Sequence, residues 1–412
     1  MRHTLIAGAL VAAAVLGASC KPKPSPRPDV VDAGPGVPTQ TADRPDRVHG
    51  QALVRQFQCN RCHDGTATET PQPGQDCVGC HQRIVAGTFP TTPELLAAWQ
   101  PRVKDLTAAP SLQGSRRLKQ SWVAGYLLAP SDLRPALHPT MPRLDLSPKD
   151  ARDVAAYLAQ DDELAEPKPG KTDLGKGRAL LEAKGCGSCH AFTGVTPLAA
   201  ATPPPMDAKD FARGRVLAPD LRFARDRMNA AKIAAWLADP KAMKPDTPMP
   251  KVALTTAEIT DIVGYLRESE LAPVVPKPRV ERLPLLARKV TYKEVDEKVF
   301  HRSCWHCHSE PDYAIGEGGP GNSGGFGFKP RGLNLSDYTG IAAGYIDANG
   351  ERASVFAKDD KGVPRLVAAM LARHDEESGV EGSIRGMPLA YDPVALTDIQ
   401  LVDTWIAQGR PK

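Results

Sequence analysis

The chain has 412 residues, with 52 Lys and Arg against 48 Asp and Glu, a net charge of +4. So slight an excess over this length argues against a dedicated nucleic-acid surface. Aromatics at 5% and hydrophobics at 41% are a thin supply for several self-sufficient cores, while 40 Pro and 35 Gly suit small units joined by loops and stiff linkers.

At the N-terminus Arg2 and His3 precede an apolar run over residues 5–16, followed by Gly17-Ala18-Ser19-Cys20. The run is too short to span a bilayer as a helix and has the length of a signal-peptide core. Small residues before a cysteine are like a bacterial lipobox, although Gly17 stands where its leucine is usual. Residues 1–20 are therefore read as a lipoprotein-like signal peptide, Cys20 as the residue that takes a lipid anchor, and the mature chain as exported to the periplasm or cell envelope. Residues 21–48 are rich in Pro and charge with almost no apolar periodicity, the composition of an unfolded tether.

Next comes an internal repeat. Gly50 runs into Cys59-Asn60-Arg61-Cys62-His63, and Gly177 into Cys186-Gly187-Ser188-Cys189-His190, with nine residues from glycine to first cysteine in both. Downstream, Ala109-Pro110-Ser111-Leu112 matches Ala218-Pro219-Asp220-Leu221, and a segment with Trp122 and Tyr126 matches one with Trp236. Met141-Pro142 and Met249-Pro250 follow, each leading into an amphipathic helix with Tyr157 or Tyr265. Ser147 and Thr255 are the expected N-caps of those helices, with Asp150 and Glu258 three residues on. Two copies of one unit are implied, over 49–160 and 176–268, joined by a linker at 161–175. A Pro-rich linker at 269–288 leads to a third unit at 289–412. It holds Cys304-Trp305-His306-Cys307-His308, then Gly332-Leu333-Asn334-Leu335, Gly386-Met387-Pro388 and a last helix with Trp405.

Eight of the nine cysteines thus fall into four Cys-x-x-Cys pairs, each followed by a histidine. The fourth set is Cys77-Val78-Gly79-Cys80-His81, after a Pro/Gly loop. This pattern attaches c-type haem covalently. Two cysteines three apart reach both vinyl groups of one porphyrin from a single turn, and the adjacent histidine sits under the iron. A zinc site would want two such pairs close together, and a dithiol redox pair would not need the histidine four times. Four haem c groups are expected, held by Cys59, Cys62, Cys77, Cys80, Cys186, Cys189, Cys304 and Cys307, with His63, His81, His190 and His308 as proximal iron ligands.

At this level the first two units resemble class I cytochrome c domains, and the third resembles a related bacterial cytochrome c domain. The resemblance implies an all-α fold: three small helical domains in tandem, the first carrying an inserted second haem motif. It implies Met141, Met249 and Met387 as distal iron ligands. It also implies that the Pro110 and Pro219 carbonyls orient His63 and His190, with no obvious equivalent in the third unit. Met206, Met228, Met243 and Met370 are read as packing or loop residues.

The haem at His81 has no assigned distal ligand. Spacing alone would pair it with Met141, whereas the upstream helix assigns Met141 to the His63 haem. His49, His138 or no ligand remain for His81. His306 is expected to point outward and bind nothing. The Gly-rich residues 316–327 lack the Lys-Ser/Thr ending of a phosphate loop and are expected to form a flexible loop over the third haem edge. The attachment sites at Cys59 and Cys77, 18 residues apart, are expected to bring two haems together. Together these features point to electron transfer between redox protein partners rather than catalysis. Two alternatives stay open: a small-oxidant reductase with a five-coordinate haem at His81, and a subunit of a larger membrane-associated oxidoreductase.

Overall fold

The computed structural model describes residues 44–104, 106–131, 133–135, 141–159, 172–199, 202–275, 277–311, 319–380 and 382–412. Cys20, nearly all of the expected tether, His138 and residues 161–171 of the first linker lie outside them. The described chain is mostly helical. Its only strands are Tyr345–Ile346 and Arg352–Ala353, paired antiparallel.

The first unit contains α1 (Arg47–Gln56), α2 (Cys77–Val85), α3 (Pro93–Trp99), α4 (Gln120–Leu128) and α5 (Pro148–Leu158). The second contains α6 (Leu174–Ala183), α7 (Ala208–Leu217), α8 (Ala224–Arg227), α9 (Ala230–Ala238), α10 (Pro240–Met243) and α11 (Thr256–Glu268). The third contains α12 (Tyr292–Val295), which continues as a π-helix over Asp296–Cys304, then α13 (Tyr338–Ala343), α14 (Arg365–Glu377) and α15 (Leu396–Ala407).

In each of the first two units the first helix crosses the last, α1 on α5 and α6 on α11. The repeated glycine is the point of crossing. A Cβ on Gly50 would lie 2.0 Å from the Asp153 carbonyl oxygen, and one on Gly177 would lie 2.3 Å from that of Asp261. Only a residue without a side chain lets the two backbones approach so closely. The last helices start as the sequence predicts. Ser147 with Asp150, and Thr255 with Glu258, form reciprocal capping boxes, each cap stabilising its helix by about 1 kcal/mol. In the third unit the position nine residues before the first cysteine is Val295, fully buried, and Trp405 on α15 is enclosed by Phe300, Tyr292, Tyr338 and Phe356.

The buried apolar side chains form two clusters. One runs through both repeats, from Leu53, Val54 and Phe57 to Leu181, Ile233 and Ile262, and the other belongs to the third unit. The repeats join through a reciprocal contact. Arg117 lies over the Trp236 ring at 5.1 Å and Arg227 over the Trp122 ring at 5.1 Å. Lys232 Nζ donates to the Arg116 carbonyl at 2.7 Å, and the Lys119 N–H donates to that of Arg227 at 2.7 Å.

Two expectations change. The segment at 269–288 is clasped to the third unit rather than left as a spacer. Arg279 grips Asp375 through two bonds of 2.9 and 2.6 Å, and Arg282 grips buried Asp403 through two of 2.6 and 2.7 Å. The described part of the Gly-rich loop is also packed. Phe326 and Phe328 sit against the core of the repeats, and the Phe326 N–H donates to Gln58 Oε1 at 3.0 Å. The two aromatic side chains, each following a glycine, give the loop an apolar face to bury.

Candidate haem sites

At the first and third cysteine pairs in chain order the local backbone is the same. Gln58 and Gly185, both left-handed, end the approach from α1 and α6 and open a 3₁₀ turn over Cys59–Arg61 and Cys186–Ser188. The N–H of the histidine then bonds the first cysteine's carbonyl, at 2.9 Å for both His63 and His190. The His308 N–H bonds the Cys304 carbonyl at 3.1 Å, although here the π-helix leads straight into the motif. The second motif differs again. It begins α2 itself, with Asp76 as N-cap accepting the Gly79 N–H at 2.9 Å. In all four, both cysteines and the histidine share one turn, the arrangement that covalent haem attachment needs.

The imidazoles are oriented for a metal. His63 Nδ1 lies 2.8 Å from the Pro110 carbonyl oxygen, and His190 Nδ1 lies 2.8 Å from that of Pro219. This is the contact the resemblance implies at both positions. Donation from Nδ1 leaves the lone pair on Nε2, the atom that would bind iron. Burial lowers the pKa of both rings, the proline carbonyls oppose it, and the nearby Arg227 charge lowers His190 further. Neutral imidazole, the ligand form, is favoured.

His308 is pushed down to about 4, by burial first, with the Leu333 backbone acting against it. Leu333 takes the place in Gly332-Leu333-Asn334-Leu335 that proline holds in the repeats. It faces the ring outside good hydrogen-bond geometry, and His308 Nδ1 has no bond of its own among the described residues. Sequence reasoning missed Leu333 because any residue can offer a carbonyl. The spacing to the leucine that ends each tetrapeptide was the available signal. Gly321 is pressed on this ring so closely that a Cβ there would lie 1.8 Å from His308 Cε1.

Met141 and Met249 are half-buried against the core of the repeats. The Trp236 indole N–H donates to Met249 Sδ at 2.9 Å, which takes one sulfur lone pair and leaves the other for a metal. The half-buried Met387 is anchored by its N–H to the Ala369 carbonyl at 2.9 Å. Met228 and Met370 are core residues, as expected. A cavity of about 830 Å³, of the size of cofactor pockets, opens between residues 101–104, the π-helix up to Ser303, and Pro388. It adjoins both Cys304 and Met387 in the sequence. A smaller cavity of about 200 Å³ lies between the Met141-Pro142 loop and Leu389 and Ala390.

Two half-buried cations at the junction of the repeats were not singled out from sequence. Burial pushes the Arg227 guanidinium down to about 9, with Arg117 adding to the effect, and burial brings Arg117 to about 10. Arg227 Nε has no hydrogen-bond partner among the described residues. A haem carries two carboxylates, and these are cations that would meet them. The signal was the repeat itself, which puts Arg117 and Arg227 directly before Leu118 and Met228.

Three motifs meet in space. The Cys62 and Cys77 thiols act on each other, which raises the pKa of Cys62 and lowers that of Cys77. The charge of Cys77 is felt at Cys307. The His81 ring, buried on α2, has its centroid 6.2 Å from that of His306, with the ring planes at 44°. His306 is open to solvent as expected, but it is not remote from the haem chemistry. His49, a sequence candidate for the His81 haem, has its Nδ1 bonded to Asp153 Oδ2 at 2.8 Å where α1 meets α5.

The Cytochrome c family model matches residues 174–270, from the first residue of α6 to just past α11. Searches of curated proteins and of solved structures returned no match. The second repeat, with Cys186, Cys189, His190 and Met249 inside the matched span, is a c-type cytochrome domain, a haem-based electron-transfer module that binds haem c covalently.

Proposed function

We propose that this protein is a tetrahaem c-type cytochrome that carries electrons between redox partners outside the cytoplasm. The observation that carries the reading is the reuse of one geometry. The His190–Pro219 contact of the matched domain recurs at 2.8 Å as His63–Pro110 in the first repeat, and the Leu333 backbone faces His308 in the third unit. The fourth haem belongs on α2, at Cys77 and Cys80. Met141, Met249 and Met387 close the distal sides of three irons, so substrates do not reach them. Methionine also raises the potential into the range of respiratory carriers. The convergence of Cys62, Cys77 and Cys307 favours electron passage along the chain of haems.

Cys20 would anchor the protein by lipid. Among the described residues no helix is long and apolar enough to cross a membrane. A redox titration followed by visible spectroscopy tests the function. The expected result is four c-type haems that all cycle between ferrous and ferric, three of them inert to carbon monoxide. Carbon monoxide binding at three haems in the untreated protein would sink the reading.

A further inference from the structure

We infer that His306 is the distal ligand of the haem attached at Cys77 and Cys80, so that this iron is held between His81 and His306. The inference rests on the tetrahaem reading and concerns the one iron that reading leaves without a sixth ligand.

The case starts from spacing. Two imidazoles bound to opposite faces of one metal, with metal–nitrogen bonds of about 2 Å and ring radii of about 1.1 Å, have centroids about 6 Å apart. The His81 and His306 centroids are 6.2 Å apart. A plane-to-plane angle of 44° is compatible, because each ring may turn about the shared axis. Aromatic packing alone also spans this distance, so a second observation is needed. Among the described residues His306 makes ring contacts with His81 and Trp305 and no hydrogen bond. A histidine packed in this way, with no acceptor or donor engaged, has a nitrogen to spare.

Position supplies the third support. His306 stands two residues before His308, on the same turn, between the two thioether anchors of its own haem. Its ring contact with His81 sets it against α2. Of the alternatives read from sequence, His49 is bonded to Asp153, and His138 lies outside the described residues.

Two consequences follow. A bis-histidine iron has a lower potential than the three His/Met irons, since methionine raises it. It is also six-coordinate, which closes the site to small oxidants. Iron, imidazole, backbone and the Cys307 thioether would then form one bonded path between the second haem and the third unit's haem.

The test uses the full-length holoprotein, wild type and His306→Gly, with haem content measured in both. The expected wild type shows only low-spin ferric haem by electron paramagnetic resonance, one of the four with a bis-histidine signature, and binds no carbon monoxide when reduced. In His306→Gly one haem per chain turns high-spin and binds one equivalent of carbon monoxide, and added imidazole restores the low-spin signal. A high-spin haem in the wild type, or a His306→Gly variant with wild-type spectra, overturns the assignment. So does a His138→Ala variant that opens the site while His306→Gly does not. If His306→Gly fails to fold, the wild-type spectrum and His138→Ala decide. Three haems with free thiols at Cys77 and Cys80 would instead overturn the tetrahaem reading, and the ligation with it.

Discussion

Asp153 shows how one side chain ties the helix that leads into the first Cys-x-x-Cys-His motif to its partner. It accepts from His49, from Lys149 at 2.8 Å and from the Asp46 N–H at 2.8 Å, on the surface where α1 crosses α5. Burial works to raise its pKa, and these bonds outweigh it and hold the carboxyl at about 2. A pKa depressed in the folded state contributes stability above the unfolded value near 4, and that stability is lost as pH falls through the folded value, here about 2 kcal/mol in all. The gap in unfolding free energy between wild type and Asp153→Asn is therefore expected to be full at neutral pH and to narrow between about pH 4 and pH 2. A gap that is flat over that window would show that Asp153 is not held ionised by these partners. At Met249 the prediction concerns the iron. Met249→Ala removes the sulfur that Trp236 orients, so one haem is expected to bind carbon monoxide and its potential to drop by on the order of 0.1 V. Redox titration with and without carbon monoxide reads both.

At the scale of elements the repeated glycines make the sharpest prediction. Gly177→Ala would place a Cβ 2.3 Å from the Asp261 carbonyl oxygen, and forcing α6 away from α11 is expected to cost about 2 kcal/mol or more. Thermal unfolding of the variant should show a clear drop in midpoint, and an unchanged midpoint would mean that the helices do not cross there. These crossings were legible in the sequence, because the nine-residue spacing from glycine to cysteine, the capping pairs Ser147–Asp150 and Thr255–Glu258, and the Met-Pro steps all recur. The π-helix over Asp296–Cys304 was not legible, and no local composition explains it. Nor was the start of α2 at Cys77, since the preceding Pro/Gly run reads only as a loop and the Asp76 cap is one short polar residue. The clasp at 269–288 escaped for a different reason. Proline content says that the segment is extended, but not that Arg279 and Arg282 find Asp375 and Asp403 about 100 residues away.

Over the whole molecule, that clasp closes the third unit. Asp403 is almost wholly buried and its charge is balanced by Arg282. Arg282→Ala would leave an unpaired buried carboxylate, at a cost of about 2–4 kcal/mol, to be seen as a lower denaturant midpoint with haem content unchanged. A variant as stable as wild type would show that Asp403 is not strained by its loss. The third unit also reaches the first through Arg385, which lies 4.6 Å from the ring centroid of its own unit's Phe328 and donates to the Arg143 carbonyl beside Met141-Pro142. Attachment cysteines, proximal histidines and candidate methionines could be named from sequence because each is a short, repeated motif. The meeting of His81 with His306 could not, since it joins two residues 225 positions apart and depends on how separate units pack.

The central claim is that all four motifs carry haem, and intact-mass spectrometry of the purified mature protein tests it most directly. The account predicts the mass of the processed chain plus four haems, with Cys59, Cys62, Cys77, Cys80, Cys186, Cys189, Cys304 and Cys307 all blocked to thiol reagents. A mass with fewer haems, or free thiols in any of the four pairs, would contradict it.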